Sequence, residues 1–362
     1  MIPLLLHART EAEHPFVTRL TDRQPDSSNG EAQGACLIAQ DDACAIFASE
    51  WGLLELNGAD ARDLFGDVVL VEPEAGRAER LIRARSDHNS LLVTERCDQL
   101  CQMCSQPPKK THIDRFEAFG QACRLAPKGA VIGITGGEPT LYKHQLFDLL
   151  EGTLEERPDL AFHVLTNGQH FEERDVERLR GSKYRAVQWG IPLYGAGPEL
   201  HDEIVGKQGA FQRLKHSFGQ LMMAGANVEL RTVVLSSNYY QLPDLARYVS
   251  TRLGFIDAWS IMQLENIGFA RNRWGTLYVN HRADFEPVAS AINISLLNGV
   301  SPRLFNFPRC TIPPEYRNFA AASISDWKRR YARACDSCSQ KDLCSGFFEW
   351  HPERDIEGVT PL

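Results

Sequence analysis

Three cysteines on one short segment are the residues of this chain best suited to chemistry. Cys97, Cys101 and Cys104 follow the pattern C-x3-C-x2-C. A four-iron cluster normally takes four thiolates, one per iron, so three cysteines fill three corners and leave one iron open. An open iron can bind a substrate or a cofactor, which a fully ligated electron-transfer cluster cannot do. The triplet follows the apolar-rich run 90–94, which reads as a strand, and α/β barrels place their chemistry on such loops.

The same spacing leaves a second reading open, which is structural zinc. Zinc in such sites takes four tetrahedral ligands. His88 and His112 are the nearest candidates for the fourth ligand, and neither has the spacing of a zinc finger.

Two further turns follow runs that also read as strands. Gly136-Gly137-Glu138-Pro139 comes directly after the run 130–135, and Asn167-Gly168 after the run 162–166. Glycines allow backbone to approach a ligand closely, and a glutamate accepts hydrogen bonds from an ammonium group. Either sequence taken alone could be an ordinary turn.

Strand and helix patterns alternate from about residue 90 onward. Strands are predicted near 90–95, 130–135, 161–166, 186–193, 228–235 and 258–264, and helices near 113–126, 143–155, 171–180, 210–223, 241–253 and 282–298. This alternation predicts a parallel sheet with helices outside it. Six strand–helix units are fewer than the eight of a closed barrel. Cys123 shares a helical face with Phe116 and Phe119 and is expected in the core, as are Met222 and Met223.

Length and composition indicate a globular chain of two or three domains. Three are predicted: a small α/β or β-rich N-terminal domain (1–86), the alternating region (87–300) and a cysteine-rich extension (301–362). The net charge of −8 argues against a nucleic-acid partner. No apolar run approaches the ~20 residues of a membrane span, and Met1 to Leu6 is too short for a signal-peptide core. We expect a cytoplasmic protein, and ten cysteines in such a chain favour metal or redox chemistry over disulfides.

A second group of cysteines lies near the C-terminus. Cys335, Cys338 and Cys344 form C-x2-C-x5-C, and Cys310 lies upstream, after the strand-like run 303–307. Four thiolates suit either structural zinc or a fully ligated iron–sulfur cluster, and the spacing does not choose between them.

Taken in order, the three motifs of the alternating region resemble those of the radical S-adenosylmethionine (SAM) superfamily, over roughly residues 88 to 270. The resemblance implies a partial (β/α)6 barrel of the TIM type, with an open side. It implies that the open iron of a [4Fe–4S] cluster chelates the amino and carboxylate groups of SAM. It also implies reductive cleavage of SAM to a 5′-deoxyadenosyl radical that abstracts hydrogen from a substrate.

Nine residues match positions at which this superfamily contacts SAM. They are Met103, Gly136, Gly137, Glu138, Asn167, Arg231, Gln263, Glu265 and Gly268. Met103 replaces the usual aromatic residue, at a position that the family uses chiefly through its backbone. The fourth strand departs from many peptide-modifying relatives, which carry Ser-x-Asp-Gly where this chain has Pro192-Leu193-Tyr194-Gly195. The ribose contact of those relatives is therefore not carried over.

The C-terminal cysteine pattern resembles the SPASM and twitch extensions of radical SAM enzymes. It implies one auxiliary [4Fe–4S] cluster held by Cys310, Cys335, Cys338 and Cys344, because no cysteine follows Cys344. The layout is most similar to the His-Xaa-Ser system maturases of HxsC type, through the runs 91–97, 104–108 and 344–348. That similarity implies modification, such as crosslinking, of a ribosomally made precursor peptide with His-Xaa-Ser repeats. It also implies a companion radical SAM protein, and an external reductant such as flavodoxin or ferredoxin.

Two other functions stay open at this point. One is a radical SAM enzyme that acts on a small molecule or tRNA in cofactor or modified-nucleoside synthesis. The other is a non-enzymatic, zinc-stabilised binding protein, which would leave the Gly-Gly-Glu-Pro and Thr-Asn-Gly motifs unexplained. No residue is recognisable from the sequence as a general base or a radical quencher.

Overall fold

The computed structural model describes residues 4–22, 34–41 and 44–362. Met1 to Pro3, part of the segment considered above as a signal-peptide core, lie outside the described residues. The chain divides into two compact units. The first comprises Met1–Val93, Ile113–Thr135 and Tyr142–His163, and the second comprises Thr94–His112, Gly136–Leu141 and Val164–Leu362.

The described part of the N-terminal segment forms a closed β-barrel. Its strands are β1 (Leu5–Thr10), β2 (Phe16–Thr21), β3 (Gly34–Gln40), β4 (Cys44–Ser49), β5 (Gly52–Asn57), β6 (Val68–Glu72) and β7 (Arg77–Ile82), in the order β1-β5-β4-β3-β2-β6-β7. Along β4 and β5 every second side chain is buried, among them Phe47, Leu54 and Leu56. A period of two puts one face of each strand on the barrel's core.

The second sheet is open and forms a partial barrel. Its strands are β8 (Asn89–Thr94), β9 (Val131–Gly136), β10 (Ala161–Leu165), β11 (Val187–Pro192), β12 (Asn227–Val233), β13 (Ala258–Met262) and β14 (Pro302–Phe305), in the order β14-β13-β12-β11-β10-β9-β8. From β11 to β14 each strand runs parallel to its neighbour. The predicted α/β class and partial barrel are confirmed, and β14 adds a seventh strand beside the six predicted.

Helices follow the strands as the alternation predicts. The helices are α1 (Phe116–Arg124), α2 (Lys143–Glu156), α3 (Val176–Leu179), α4 (Pro198–Val205), α5 (Ala210–Ala224), α6 (Leu242–Arg252), α7 (Phe269–Asn272), α8 (Trp274–Leu277), α9 (Glu286–Leu297) and α10 (Glu353–Ile356). Cys123 is fully buried on α1, as expected. The expectation for Met222 and Met223 is wrong, because their side chains, near the end of α5, are 54% and 47% exposed.

The loop between α4 and α5 is fixed by one carboxylate. Asp202 accepts hydrogen bonds from the backbone N–H groups of Gly209 (2.6 Å) and Phe211 (2.7 Å), which lie where α5 begins. Side chains that accept from the first N–H groups of a helix stabilise its start. Lys207 belongs to this short loop. Its side chain contacts Asp98 of the cysteine loop.

The C-terminal extension contains little regular structure. Two short strands, β15 (Arg329–Arg330) and β16 (Phe347–Phe348), pair antiparallel. Among the described residues, no helix has the length and apolar character that crossing a membrane requires.

Candidate functional site

The cysteine triplet lies on a loop that begins where β8 ends. The N–H of Leu100 donates to the carbonyl of Val205 at 3.0 Å, and the N–H of Gln102 donates to that of Ile204 at 2.8 Å. The last carbonyls of a helix have no partner inside the helix, so the end of α4 can accept these bonds. The loop is therefore held in place by its backbone.

The three thiols are chemically suited to iron. Each is partly buried, and burial raises the pKa of Cys97 to about 11 and that of Cys101 to about 12, with the neighbouring thiols adding to the effect at Cys101. Thiols in such a place stay protonated unless a cation binds, and a metal centre deprotonates its thiol ligands. Among the described residues no three His, Cys, Asp or Glu side chains are arranged to hold one metal ion. In a four-iron cluster each thiolate binds its own iron, so the donor set fits the cluster.

The turn that follows β9 packs against the start of the cysteine loop. A Cβ on Gly136 would lie 2.4 Å from the carbonyl oxygen of Thr94, and one on Gly137 would lie 2.1 Å from that of Arg96. Only glycine permits this approach. The N–H of Gly137 donates to the carbonyl of Thr94 at 2.7 Å, and the N–H of Glu138 donates to the carbonyl of Arg96 at 2.8 Å. The first two motifs of the sequence therefore form one hydrogen-bonded unit.

The Glu138 carboxylate joins the second motif to the third. It is fully buried and accepts hydrogen bonds from Thr140 N–H (2.8 Å), Thr140 Oγ1 (2.5 Å), Thr166 Oγ1 (2.6 Å) and Asn167 N–H (2.5 Å). Burial raises the pKa of Glu138, while these hydrogen bonds oppose the rise. Its contact with a SAM ammonium stays a prediction. The structure adds a positioning role that the sequence did not indicate.

Asp98, directly after the first cysteine, is a second carboxylate that connects the motifs. It accepts from Asn167 Nδ2 at 2.7 Å and from the ammonium of Lys207, and His170 Nε2 lies 3.2 Å away. Burial alone would raise the pKa of Asp98, but the hydrogen bonds from His170 and Lys207 hold it well below its usual range. Sequence reasoning missed Asp98, Lys207 and His170. The only local signal was an acidic residue inside the cysteine motif.

Asp98→Asn is expected to destabilise the protein by about 1–3 kcal/mol at neutral pH, because Lys207 loses its charged partner. Since the folded pKa of Asp98 is depressed, its stabilising contribution is present above the unfolded value of about 3.9 and is lost as pH falls through the folded value. The gap between wild type and variant in urea unfolding should therefore narrow below about pH 4. Asp244→Asn, at an exposed ion pair with Arg247, is the control and should change little. A gap independent of pH would contradict this role.

Three predicted SAM contacts have side chains already engaged within the protein. Met103 is buried in an apolar cluster with Tyr194 and Trp274, which leaves its backbone for a ligand. Arg231 donates to Glu229 of the same strand, at 2.9 and 3.1 Å. The carboxamide of Gln263 donates to the carbonyl of Val279 and contacts His281 at 2.7 Å. Their contacts with SAM stay predictions.

The other two candidates after β13 contact the cysteine loop and the C-terminal extension. Gly268 has φ +59°, and a Cβ there would lie 2.3 Å from the carbonyl oxygen of Cys104. Glu265 lies 3.4 Å from the ammonium of Lys328. Burial raises the pKa of Glu265, and Lys328 opposes that rise. The segment that follows β13 thus contacts the loop of the cysteine triplet through Gly268 and the C-terminal extension through Glu265.

The four C-terminal cysteines line one cavity. They are Cys310, Cys335, Cys338 and Cys344. Burial, together with Cys344 and Cys335, raises the pKa of Cys310 to about 11. The N–H of Arg309 donates to Cys344 Sγ at 3.3 Å, and the N–H of Leu362 donates to Cys338 Sγ at 3.4 Å. Backbone donors to sulfur stabilise thiolates, so four thiols in this setting fit either a fully ligated cluster or structural zinc.

Comparison with known proteins gives a family match over the part of the chain that carries the cysteine triplet and the two turns. Residues 91–249 match the family model described as the radical SAM superfamily. The match covers less than half of the chain, and residues 91–249 are therefore similar to a radical SAM domain. That similarity implies a [4Fe–4S] cluster and SAM.

The relatives are distant. The chain is 24% identical, over an alignment of 191 residues, to an AdoMet-dependent heme synthase of Nitratidesulfovibrio vulgaris; the match covers 49% of this chain and 48% of the relative. The chain thus spans about half the length of that curated relative. Among solved structures it is similar to Streptococcus suis SuiB bound to S-adenosylmethionine (TM-score 0.48, 18% identity, 59% of this chain and 49% of SuiB). It is also similar to a radical SAM methyltransferase from Sphaerobacter thermophilus (TM-score 0.44, 13% identity, 75% and 76%).

Proposed function

We propose that this chain is a radical SAM maturase that modifies, by crosslinking, side chains of a ribosomally made precursor peptide of the His-Xaa-Ser repeat type. A companion radical SAM protein and an external reductant such as flavodoxin or ferredoxin complete the proposal, in the cytoplasm. The observation that carries it is the cavity lined by Cys310, Cys335, Cys338 and Cys344. A second group of cysteines, with four thiols, after a radical SAM domain is what the maturase resemblance requires.

Cys97, Cys101 and Cys104 would hold the SAM-binding cluster, which with SAM supplies the 5′-deoxyadenosyl radical that takes a hydrogen atom. The backbone bonds from Leu100 and Gln102 to the end of α4 fix the loop that presents the thiols. Gly136 and Gly137 keep the turn after β9 against that loop. The backbone atoms of these residues hold the loop in place, and the side chains of Leu100 and Gln102 have no part in the proposed chemistry.

The four C-terminal cysteines would hold an auxiliary [4Fe–4S] cluster with no open iron. The extension that carries them contacts the segment after β13. Asn266 Nδ2 donates to the carbonyl of Trp350 at 3.3 Å, and Trp274 Nε1 donates to Asp355 at 2.9 Å. Such contacts would place the auxiliary cluster at a fixed position relative to the radical SAM site.

A peptide substrate suits this chemistry. Hydrogen abstraction needs one C–H held near the 5′ carbon of the nucleoside, so specificity must come from binding at a distance from the reacting atoms. The net charge of −8 also disfavours tRNA as the substrate.

The test is co-expression with the neighbouring short open reading frame, followed by tandem mass spectrometry of the peptide. We expect a mass loss of about two hydrogens per crosslink, absent with the Cys97→Ala variant and retained with Cys44→Ala, a thiol outside both groups. An unmodified peptide in the presence of every neighbouring gene, together with turnover of a small metabolite, would overturn the proposal.

The second candidate is a radical SAM enzyme of small-molecule synthesis. The similarity to a protein named AdoMet-dependent heme synthase favours it. Incubation of the reconstituted protein with SAM, reductant and cell metabolites, without peptide, separates the two. Coupled consumption of a tetrapyrrole or another metabolite would select this candidate.

A further inference from the structure

One buried side chain of the cysteine loop has an unused hydrogen-bond donor. Gln99 is 4% exposed, and its Nε2 is buried with no hydrogen-bond partner among the described residues. A buried donor left unpaired lowers the stability of the folded protein. Buried polar groups are nearly always satisfied, so an exception in a native protein needs a physical explanation.

The same carboxamide lies beside a thiol of the triplet. Cys101 Sγ donates to Gln99 Oε1 at 3.5 Å. Cys101 also packs against the apolar cluster that contains Met103 and Tyr194. The sulfur therefore has apolar neighbours on one side and the Gln99 carboxamide on the other.

Iron binding would change the hydrogen bond that the Cys101 sulfur can make with the Gln99 carboxamide. The thiolate is the metal ligand, so Cys101 loses its proton to solvent and its sulfur changes from donor to acceptor. Oε1 would then face a negative sulfur. A half-turn about the last side-chain bond exchanges Oε1 for Nε2, because this torsion is broad and nearly two-fold.

We propose that Gln99 is a positioning residue that donates Nε2–H to the cluster sulfur ligand Cys101 and thereby makes the SAM-binding cluster easier to reduce. The inference rests on the proposed cluster at Cys97, Cys101 and Cys104. Hydrogen bonds to ligand sulfurs tune the potential of iron–sulfur clusters. They stabilise the more negative, reduced cluster more than the oxidised one.

The test compares Gln99→Met with Gln102→Met. Gln102 lies in the same loop and its side chain donates outward, to the carbonyl of Glu203 at 3.2 Å, so its variant makes the same chemical change away from the thiol. The reconstituted full chain is titrated electrochemically, and the EPR signal that changes on SAM addition is followed. For Gln99→Met we expect the ratio of reduced to oxidised cluster at a fixed potential to fall about tenfold, which is 59 mV for a one-electron couple. Gln102→Met should match wild type.

Gln99→Met also separates a donor from a packing role. Methionine has a similar length but no N–H, so the donor role predicts the fall stated above. A packing role predicts that methionine, which fills the space, behaves as wild type. Without reconstitution, Gln99→Met should be at least as stable to heat as wild type, because an unpaired buried donor is removed.

Failure of the Gln99 role and failure of the proposed function give different results. Equal potentials for Gln99→Met, Gln102→Met and wild type, with full iron content, would overturn the role of Gln99 alone. A wild-type chain that binds no iron at the triplet, or no SAM-responsive cluster, would overturn the proposed function.

Discussion

Alanine at Cys97, Cys101 and Cys104 together should abolish 5′-deoxyadenosine formation and lower the iron content from about eight to about four atoms per chain, at four per cluster. The three thiols are partly buried on one loop, and no other cysteine is close in sequence to replace them. The remaining four irons should belong to the auxiliary site. Iron analysis of anaerobically reconstituted protein and chromatography of the nucleoside product measure both effects.

The reciprocal variant makes this prediction specific. Alanine at the four C-terminal cysteines should also leave about four irons, but the SAM-responsive EPR signal should persist. The control variant Cys44→Ala should retain about eight irons per chain. SAM cleavage at the wild-type rate in the triple variant would refute the assignment, and a wild-type iron content near four with zinc present would assign zinc to the C-terminal site.

Glu138→Ala should destabilise the protein by about 3–5 kcal/mol and eliminate SAM binding. The fully buried carboxylate accepts four hydrogen bonds, and its removal leaves the N–H groups of Thr140 and Asn167 without an acceptor inside a cavity. Each unpaired buried donor costs about 1–3 kcal/mol, and the cavity adds to that cost.

Chemical unfolding and SAM-binding calorimetry measure these two effects. Glu138→Gln keeps the volume and one carbonyl oxygen, so its loss of stability should be about half as large. Glu177→Ala, at a side chain that is 90% exposed, is the control. Wild-type stability of Glu138→Ala would show that the turns after β9 and β10 do not depend on this carboxylate.

The sequence predicts the strands and turns of the partial barrel because these depend on local patterns. Apolar runs of strand length place β8 to β13 within a few residues, and Gly136 and Gly137 mark a turn where backbone must approach backbone. The seventh strand, β14, was visible as a strand-like run. Its place beside β13 depends on a pairing that no local pattern encodes.

The residues that sequence reasoning missed are joined over long separations. Asp98 and Lys207 are 109 positions apart, and neither has a periodicity or a motif that indicates the other. Closure of the N-terminal barrel also depends on residues far apart in the sequence, since β1 pairs with both β5 and β7. The exposed Met222 and Met223 show the converse, because an apolar residue near a helix end need not lie on the buried face.

The bonds from Leu100 and Gln102 to the end of α4 have a consequence for how the protein is made. The three thiols emerge from the ribosome within eight residues of one another, but the carbonyls that hold their loop belong to Ile204 and Val205, about a hundred residues later. At about 5–20 residues per second this interval lasts roughly 5 to 20 seconds. A nascent chain therefore carries three thiols before the carbonyls that hold their loop exist. For the cluster that we propose at these thiols, we expect assembly only after α4 has been synthesised, and oxidants have that interval in which to react first.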